Sequence, residues 1–186
     1  YIAYKIRNLS VAEESQEGEE NFKTHRSIRT YAAIFLPLFG FTSVVLIWQW
    51  VMSVDAHWYS TLFAWYSLAS LFSAMMSLVA LLLIYLRSKG YYQNLSKHHL
   101  HDVGKFIFGI SVFWTYLWFS QFMLIWYANI GEETIYFKER YENYPALFFM
   151  NLGINFLIPF LILMRNDTKY KVGSLSFVAI VVFIGH

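Results

Sequence analysis

Long uncharged stretches constrain the fold of this chain more than any other feature. No Asp, Glu, Lys or Arg occurs in the 25 residues between Arg29 and Asp55, the 31 between Asp55 and Arg87, the 26 between Lys105 and Glu132, or the 22 between Glu142 and Arg165. Another 15 follow Lys171, so 119 of the 186 residues lie in such runs. A helix rises about 1.5 Å per residue, so crossing a hydrocarbon core about 30 Å thick takes about 20 apolar residues. Four runs are long enough, and the fifth reaches only about 22 Å at the same rise. Charged residues make up 14% of the chain, against about 25% in soluble domains. A soluble enzyme domain, a nucleic-acid binder and a disordered chain are all excluded. The pattern predicts an all-α polytopic membrane protein, a helix bundle over residues 31–186 preceded by a segment of residues 1–30.

The predicted spans are Tyr31–Val51 (A), Ser60–Leu86 (B), Phe106–Asn129 (C), Ala146–Met164 (D) and Val172–His186 (E, truncated). The opening Tyr1-Ile-Ala-Tyr4 reads as the exit of an earlier span, and the closing residue lies inside an apolar run. The expectation is an excerpt of a longer protein. The chain has no cysteine, which excludes disulfides, thiolate-held clusters and c-type haem attachment within this stretch. Any iron–sulfur chemistry then belongs to a partner.

Lysine and arginine set the predicted orientation, because short cytoplasmic loops are enriched in them. Twelve of the 14 lie before A, between B and C, or between D and E, and only Lys138 and Arg140 lie on the other side. Residues 1–30, 87–105 and 165–171 are therefore expected in the cytoplasm, with loops 52–59 and 130–145 in the periplasm. The acids Asp55, Glu132, Glu133, Glu139 and Glu142 fall on that outer side. Residues 11–21 hold five glutamates with Gly and Ser, and read as a solvated acidic linker or, alternatively, a docking tail.

Polar residues inside the spans are the candidates for function. Counted at about 1.5 Å per residue from the inner edge, Gln121 in C lies roughly 22 Å up, Asn151 in D about 18 Å and His186 in E about 21 Å. Three polar side chains on three spans thus share one layer in the outer half of the membrane. Facing lipid would cost each several kcal/mol, so each should point inward. They could line a pocket for a polar head group, form a proton relay, or simply bond helix to helix. His186 is the one titratable side chain deep within a span, which favours a proton role.

In D, Asn155 stands one turn after Asn151 on the same face, and Pro159 follows four residues later. The Asn155 carbonyl therefore loses its usual helical donor, and the helix is expected to kink there. The freed group suits a cofactor or proton site, although packing also explains proline in membrane helices. In B, Ser70/Ala74 and Ser73/Ser77 are small-xxx-small pairs and predict close helix packing. His98-His99-Leu100-His101-Asp102 opens C. His98 and Asp102 have metal-ligand spacing, but without a second ligand pair a metal is not expected. A proton-collecting mouth, or a plain cap with Asp102 near the positive helix end, fits better. No pair of histidines faces at one depth, so haem is not expected either. The aromatics Trp48, Trp50, Trp58, Tyr59, Trp126 and Tyr127 fall at span ends and read as an interfacial belt.

The outer end of C reads Trp126-Tyr127-Ala128-Asn129-Ile130-Gly131-Glu132-Glu133. This aromatic–Asn–acid closure of a membrane helix resembles the NrfD/PsrC superfamily of membrane subunits, and most closely the ActF-type subunits of bacterial alternative complex III. His101-Asp102-Val103-Gly104-Lys105 resembles the opening of the corresponding helix in the sister ActC-type subunits. The likeness runs over roughly residues 31–186 and implies a parent chain of about ten spans. It implies a subunit of a respiratory quinol:cytochrome c oxidoreductase in a bacterial inner membrane. Such a subunit carries no covalent cofactor, and its substrate would be a quinol such as menaquinol. Haem and iron–sulfur clusters would sit in partners: an iron–sulfur subunit, multihaem cytochromes and a homologous membrane subunit. By the same likeness, Trp126, Tyr127 and Asn129 become quinone-binding candidates, beside the polar-layer candidates Gln121, Asn151 and Asn155. His186, Glu132 and Glu133 near the outer exit, and His101 and Asp102 at the inner entrance, become proton-path candidates. A structural scaffold without an active site, or a stand-alone transporter, remains the alternative.

Overall fold

The computed structural model describes residues 1–15, 19–55, 57–91 and 95–186. Every regular element among them is helical. Four helices are long and apolar enough to cross a membrane, Phe22–Val54, Thr61–Ser88, Lys97–Ala128 and Pro145–Leu163, and a shorter apolar helix covers Val172–Gly185. The protein is an all-α membrane helix bundle.

The chain divides into two compact units, Tyr1–Val51 and Met52–His186. In the first, α1 (Ile2–Glu14) packs on α2 (Glu19–Leu46), which continues through a π turn at Ile47–Val51. His25 Nδ1 lies 3.0 Å from Glu13 Oε1 across that pairing. The predicted linker 11–21 is therefore helical at both ends, and Gln16, Glu17 and Gly18 lie outside the described residues. The helix of span A also starts well before Tyr31. Charged residues such as Arg26 and Arg29 are good helix formers, so they mark where the membrane begins and not where the helix does.

The second unit holds α3 (Thr61–Ser88), α4 (Lys97–Ala128), α5 (Gly131–Asn143), α6 (Pro145–Leu152), α7 (Ile158–Leu163), α8 (Asn166–Tyr170) and α9 (Val172–Gly185). α3 packs against both α4 and α9, and α4 also packs against α7 and α8. The small residues of span B explain the close approach: Ala64, Ala69, Ser73, Ser77 and Ala80 are all buried. α3 ends at Gly90, whose φ of 86° only glycine adopts freely, and Tyr91 N–H bonds back to Leu86 O at 3.1 Å. α4 starts at Lys97, nine residues before the predicted Phe106. Asp102 thus lies in its second turn, salt-bridged to Lys105 at 3.0 Å, and is not the helix cap.

Three apolar layers fill the unit. One is built on Leu100, Ile107, Leu163, Leu175, Val178 and Val182, the next on Ala69, Trp114 and Leu117, and the third on Trp58, Ile125 and Phe137. Trp58 is 6% exposed and stacks on Tyr136 at 4.1 Å, so it belongs to the core and not to the aromatic belt. The predicted loop 130–145 contains a helix, α5, which carries Tyr136 and Phe137 inward. α5 is too short and too charged to cross a membrane.

Span D changes helical register just before Pro159. Residues Gly153–Leu157 form a π turn between α6 and α7, and Ile158 N–H bonds Gly153 O five residues back. The wider turn accommodates the proline that cannot donate to Asn155.

Candidate functional site

The depth argument places Gln121 and Asn151 together, and the structure does so too. Both line a cavity of about 280 Å³ walled by α3, α4, α5 and α6. Gln121 faces inward from α4 because Trp114, Leu117 and Ile125, at three- to four-residue spacing around it, form the buried stripe of that helix. It is 3% exposed, and its Nε2 has no hydrogen-bond partner among the described residues. A buried amide left unpaired costs about 1–3 kcal/mol, so this group is the most telling one in the cavity.

The other polar walls are Tyr66, Tyr136, Arg140 and Tyr144, and the apolar ones are Trp118, Phe137, Leu147 and Phe148. Arg140 is one turn after Tyr136 on α5. Its guanidinium lies 3.4 Å from the Tyr136 ring centroid, and Nη1 donates to Tyr136 O at 2.8 Å. This cation–π contact and hydrogen bond hold both side chains at the rim. The sequence reading did not single out Tyr66, Tyr136 or Arg140. The i, i+4 spacing of Tyr136 and Arg140 would have been a usable signal once α5 was recognised as a helix.

Burial pushes the Tyr136 phenol above the usual tyrosine range, with Arg140 opposing. The fold therefore favours the neutral phenol. The stability this contributes is complete below about pH 10 and is lost as pH rises through the raised value. Thermal melts across alkaline pH should show a steeper loss for the wild type than for Tyr136→Phe, which has no proton to lose; parallel curves would contradict the assignment.

His186 does not line this cavity. Its Nδ1 lies 2.7 Å from Ser70 Oγ, its ring meets Trp114 edge-on at 5.2 Å, and its Nε2 is buried without a partner among the described residues. It lines a second cavity of about 310 Å³ with Phe63, Tyr66, Ser67, Ser70, Leu71 and Ala74. Tyr66 walls both cavities and is the side chain standing between them.

Asn155 links the polar groups from below. It is fully buried, and its Nδ2 donates to Asn151 Oδ1 at 2.7 Å and to Gly185 O at 2.9 Å. The second bond pins the π turn to the last turn of α9. It makes the Asn155 NH2 a tie between helices, while Asn155 Oδ1 is buried without a partner among the described residues.

Glu133 and Gln121 line a third cavity, of about 220 Å³, with Tyr59, Ser60, Thr61 and Leu124 among its walls. Gln121 thus separates a chamber holding Arg140 from one holding Glu133. The remaining motif residues do not line any of these three cavities. Trp126 is 64% and Tyr127 84% exposed. Glu132 and Asn129 are exposed as well. Asn129 has a local structural reason to be there. It caps α4 in the left-handed conformation at φ 48°, which asparagine tolerates better than other side chains.

At the other end of α4, His101 is 7% exposed and stacks on Tyr170 at 4.2 Å, and its Nε2 has no partner among the described residues. The ring is held by α8, whose Lys169 packs its stem on Gly104. About 30 Å of helix separate His101 from Gln121 at 1.5 Å per residue, so the structure does not bring the two ends of the proposed path together. Among the described residues, no three His, Asp or Glu side chains group as metal ligands would.

No protein-family model matches the chain, and no curated protein sequence matches it.

Proposed function

We propose that this chain is a membrane subunit of a quinol-oxidising respiratory complex, of the NrfD/PsrC type, and that the Gln121–Asn151 cavity takes the quinol head group. The observation that carries the reading is the unpaired Gln121 amide, 97% buried, on a residue that walls a chamber with Asn151, three tyrosines and an arginine. A quinol ring has an oxygen at each end and flat apolar faces. The cavity supplies polar groups on opposing helices, with Trp118, Phe137 and Phe148 for the faces. Its volume suits a ring but not a whole lipid.

On this reading the positive-inside bias sets the cavity toward the outer face of a bacterial inner membrane. Quinol oxidation releases two electrons and two protons. The electrons leave to haem or iron–sulfur groups in partner subunits, as the resemblance to the NrfD/PsrC type implies. The protons leave at the outer face, where Glu133 stands one residue wall away and Tyr66 leads toward His186. The exposed Trp126, Tyr127 and Glu132 are then available for contact with the iron–sulfur partner.

A scaffold role is the competing reading, and the hydrogen bond from Asn155 to Gly185 O, which joins span D to α9, favours it. Quinol-dependent reduction of cytochrome c by the assembled complex separates the two. Under the quinol reading, Asn151→Leu and Arg140→Gln each raise the KM for quinol about tenfold or more, one lost polar contact being worth about 1–2 kcal/mol. Lower yield with unchanged activity per assembled complex in both variants would establish the scaffold instead.

A further inference from the structure

Lys169 on α8 is a cation left only 7% exposed at the basic end of the bundle. Its stem lies against the bare backbone of Gly104 on α4, and its Nζ comes to rest 5.3 Å from the Phe108 ring centroid. A cation–π contact offsets only part of what a charge loses on leaving water. The acids beside it in sequence and across α4 are already taken. Asp167 lies 4.0 Å from Arg165, and Asp102 bonds Lys105 at 3.0 Å. Lys169 itself forms no ion pair among the described residues. Its neighbour Lys171 is exposed.

Aromatic rings lead away from this cation toward the middle of the bundle. Phe108 stacks on Phe160 at 5.8 Å, and Phe160 packs on Phe156 at 5.1 Å. All three are half-buried along the seam between α4 and span D, with Leu157 and Leu161 exposed beside them. We infer that this seam seats an anionic phospholipid from the leaflet on the basic side, its phosphate at Lys169 Nζ and an acyl chain over Phe108, Phe160 and Phe156. A long lysine stem lets the charge stand at head-group level while the rings line the hydrocarbon. A soluble anion would meet the cation and leave the rings bare. A zwitterionic lipid would bring its own cation to the same place and weaken the attraction. The seat lies toward the opposite end of α4 from Gln121 and does not depend on what the polar cavity holds.

The test uses the full chain in neutral detergent, with fluorescent-tailed phosphatidylglycerol as probe and polarisation as readout. Unlabelled phosphatidylglycerol should displace the probe at about tenfold lower concentration than phosphatidylcholine, and inorganic phosphate should not displace it at all. Lys169→Met keeps the stem, removes the charge and should bring the two lipids within about twofold of each other. Lys169→Arg should keep the preference, and Lys171→Gln should change it by less than about twofold. Phe160→Ala removes a ring and no charge, and should weaken phosphatidylglycerol about fivefold or more. No lipid preference in the wild type, or a preference untouched by Lys169→Met, overturns the inference. Equal losses in Lys169→Met and Lys171→Gln overturn it in favour of a diffuse surface potential. Displacement by inorganic phosphate overturns it in favour of a soluble anion. If Lys169→Met does not fold, unchanged affinity in Phe160→Ala overturns the seat by itself.

Discussion

Replacing Gln121 with leucine should weaken quinone binding by about ten- to a hundredfold while leaving the protein as stable as before, or slightly more so. The two side chains have similar volume, so the buried stripe of α4 keeps its packing and no cavity is created. What disappears is an amide whose Nε2 has no partner among the described residues. An unpaired buried donor is a liability of about 1–3 kcal/mol in the empty protein, and replacing it with an apolar group of the same shape removes that liability. The same change takes away a donor aimed at the ligand and sets a methyl against its oxygen. Binding groups commonly carry this opposition between stability and function. A residue that merely joins helices behaves in the opposite way, because its removal breaks a satisfied bond. Calorimetric binding and a thermal melt on the same purified sample decide the matter. If Gln121→Leu melts several degrees lower and binds the quinone unchanged, Gln121 is a structural residue and the cavity loses its main support.

The spans were legible because charge is expensive in hydrocarbon, and that cost applies at every position irrespective of the partners. Boundaries were less legible. Lys97 to Lys105 form the first turns of α4 outside any apolar stretch, and nothing in their polarity opposes a helix. The pairing of Gln121 with Asn151 followed from counting residues, since a helix converts sequence number into height. Height is all that counting yields. It placed His186 in the same layer, but the direction in which a side chain points depends on how α9 is rotated against α3, and His186 turns to Ser70. The wall contributed by α5 escaped for another reason. A charged segment of 13 residues reads as a loop by hydropathy, and Tyr136 and Phe137 face inward only because that segment is a helix docked on Trp58 and Phe148. Pro159 announced a distortion in span D without saying that a π turn would absorb it. That turn brings Asn155 inward to meet α9, which no local pattern specifies.

Gly185→Ala should be the most crowded glycine-to-alanine change among the described residues, and a destabilising one. A Cβ at Gly185 would overlap Asn155 Oδ1 and stand 2.5 Å from Ile154 Cγ2. Ordinarily a flexible side chain yields to such an intrusion. Asn155 cannot yield cheaply, because its amide is held by Asn151 Oδ1 and by the carbonyl of Gly185 itself. Either α9 moves away and the Asn155–Gly185 bond stretches, or the Asn155 side chain rotates and leaves the Gly185 oxygen unpaired in an apolar interior. Overpacking of this kind costs about 1–3 kcal/mol, and each unpaired group adds about 1 kcal/mol or more. The melting temperature should fall by several degrees, and the Ser70–His186 contact one residue on should loosen with it. The double variant Gly185→Ala/Asn155→Ala separates the two causes. With the asparagine shortened, the added methyl has room, so the pair should lose less than the sum of the two single losses by about 1 kcal/mol or more. Strict additivity in thermal melts would mean that α9 and the π turn do not touch as described, and that the polar tie beneath the cavity is absent from the folded protein.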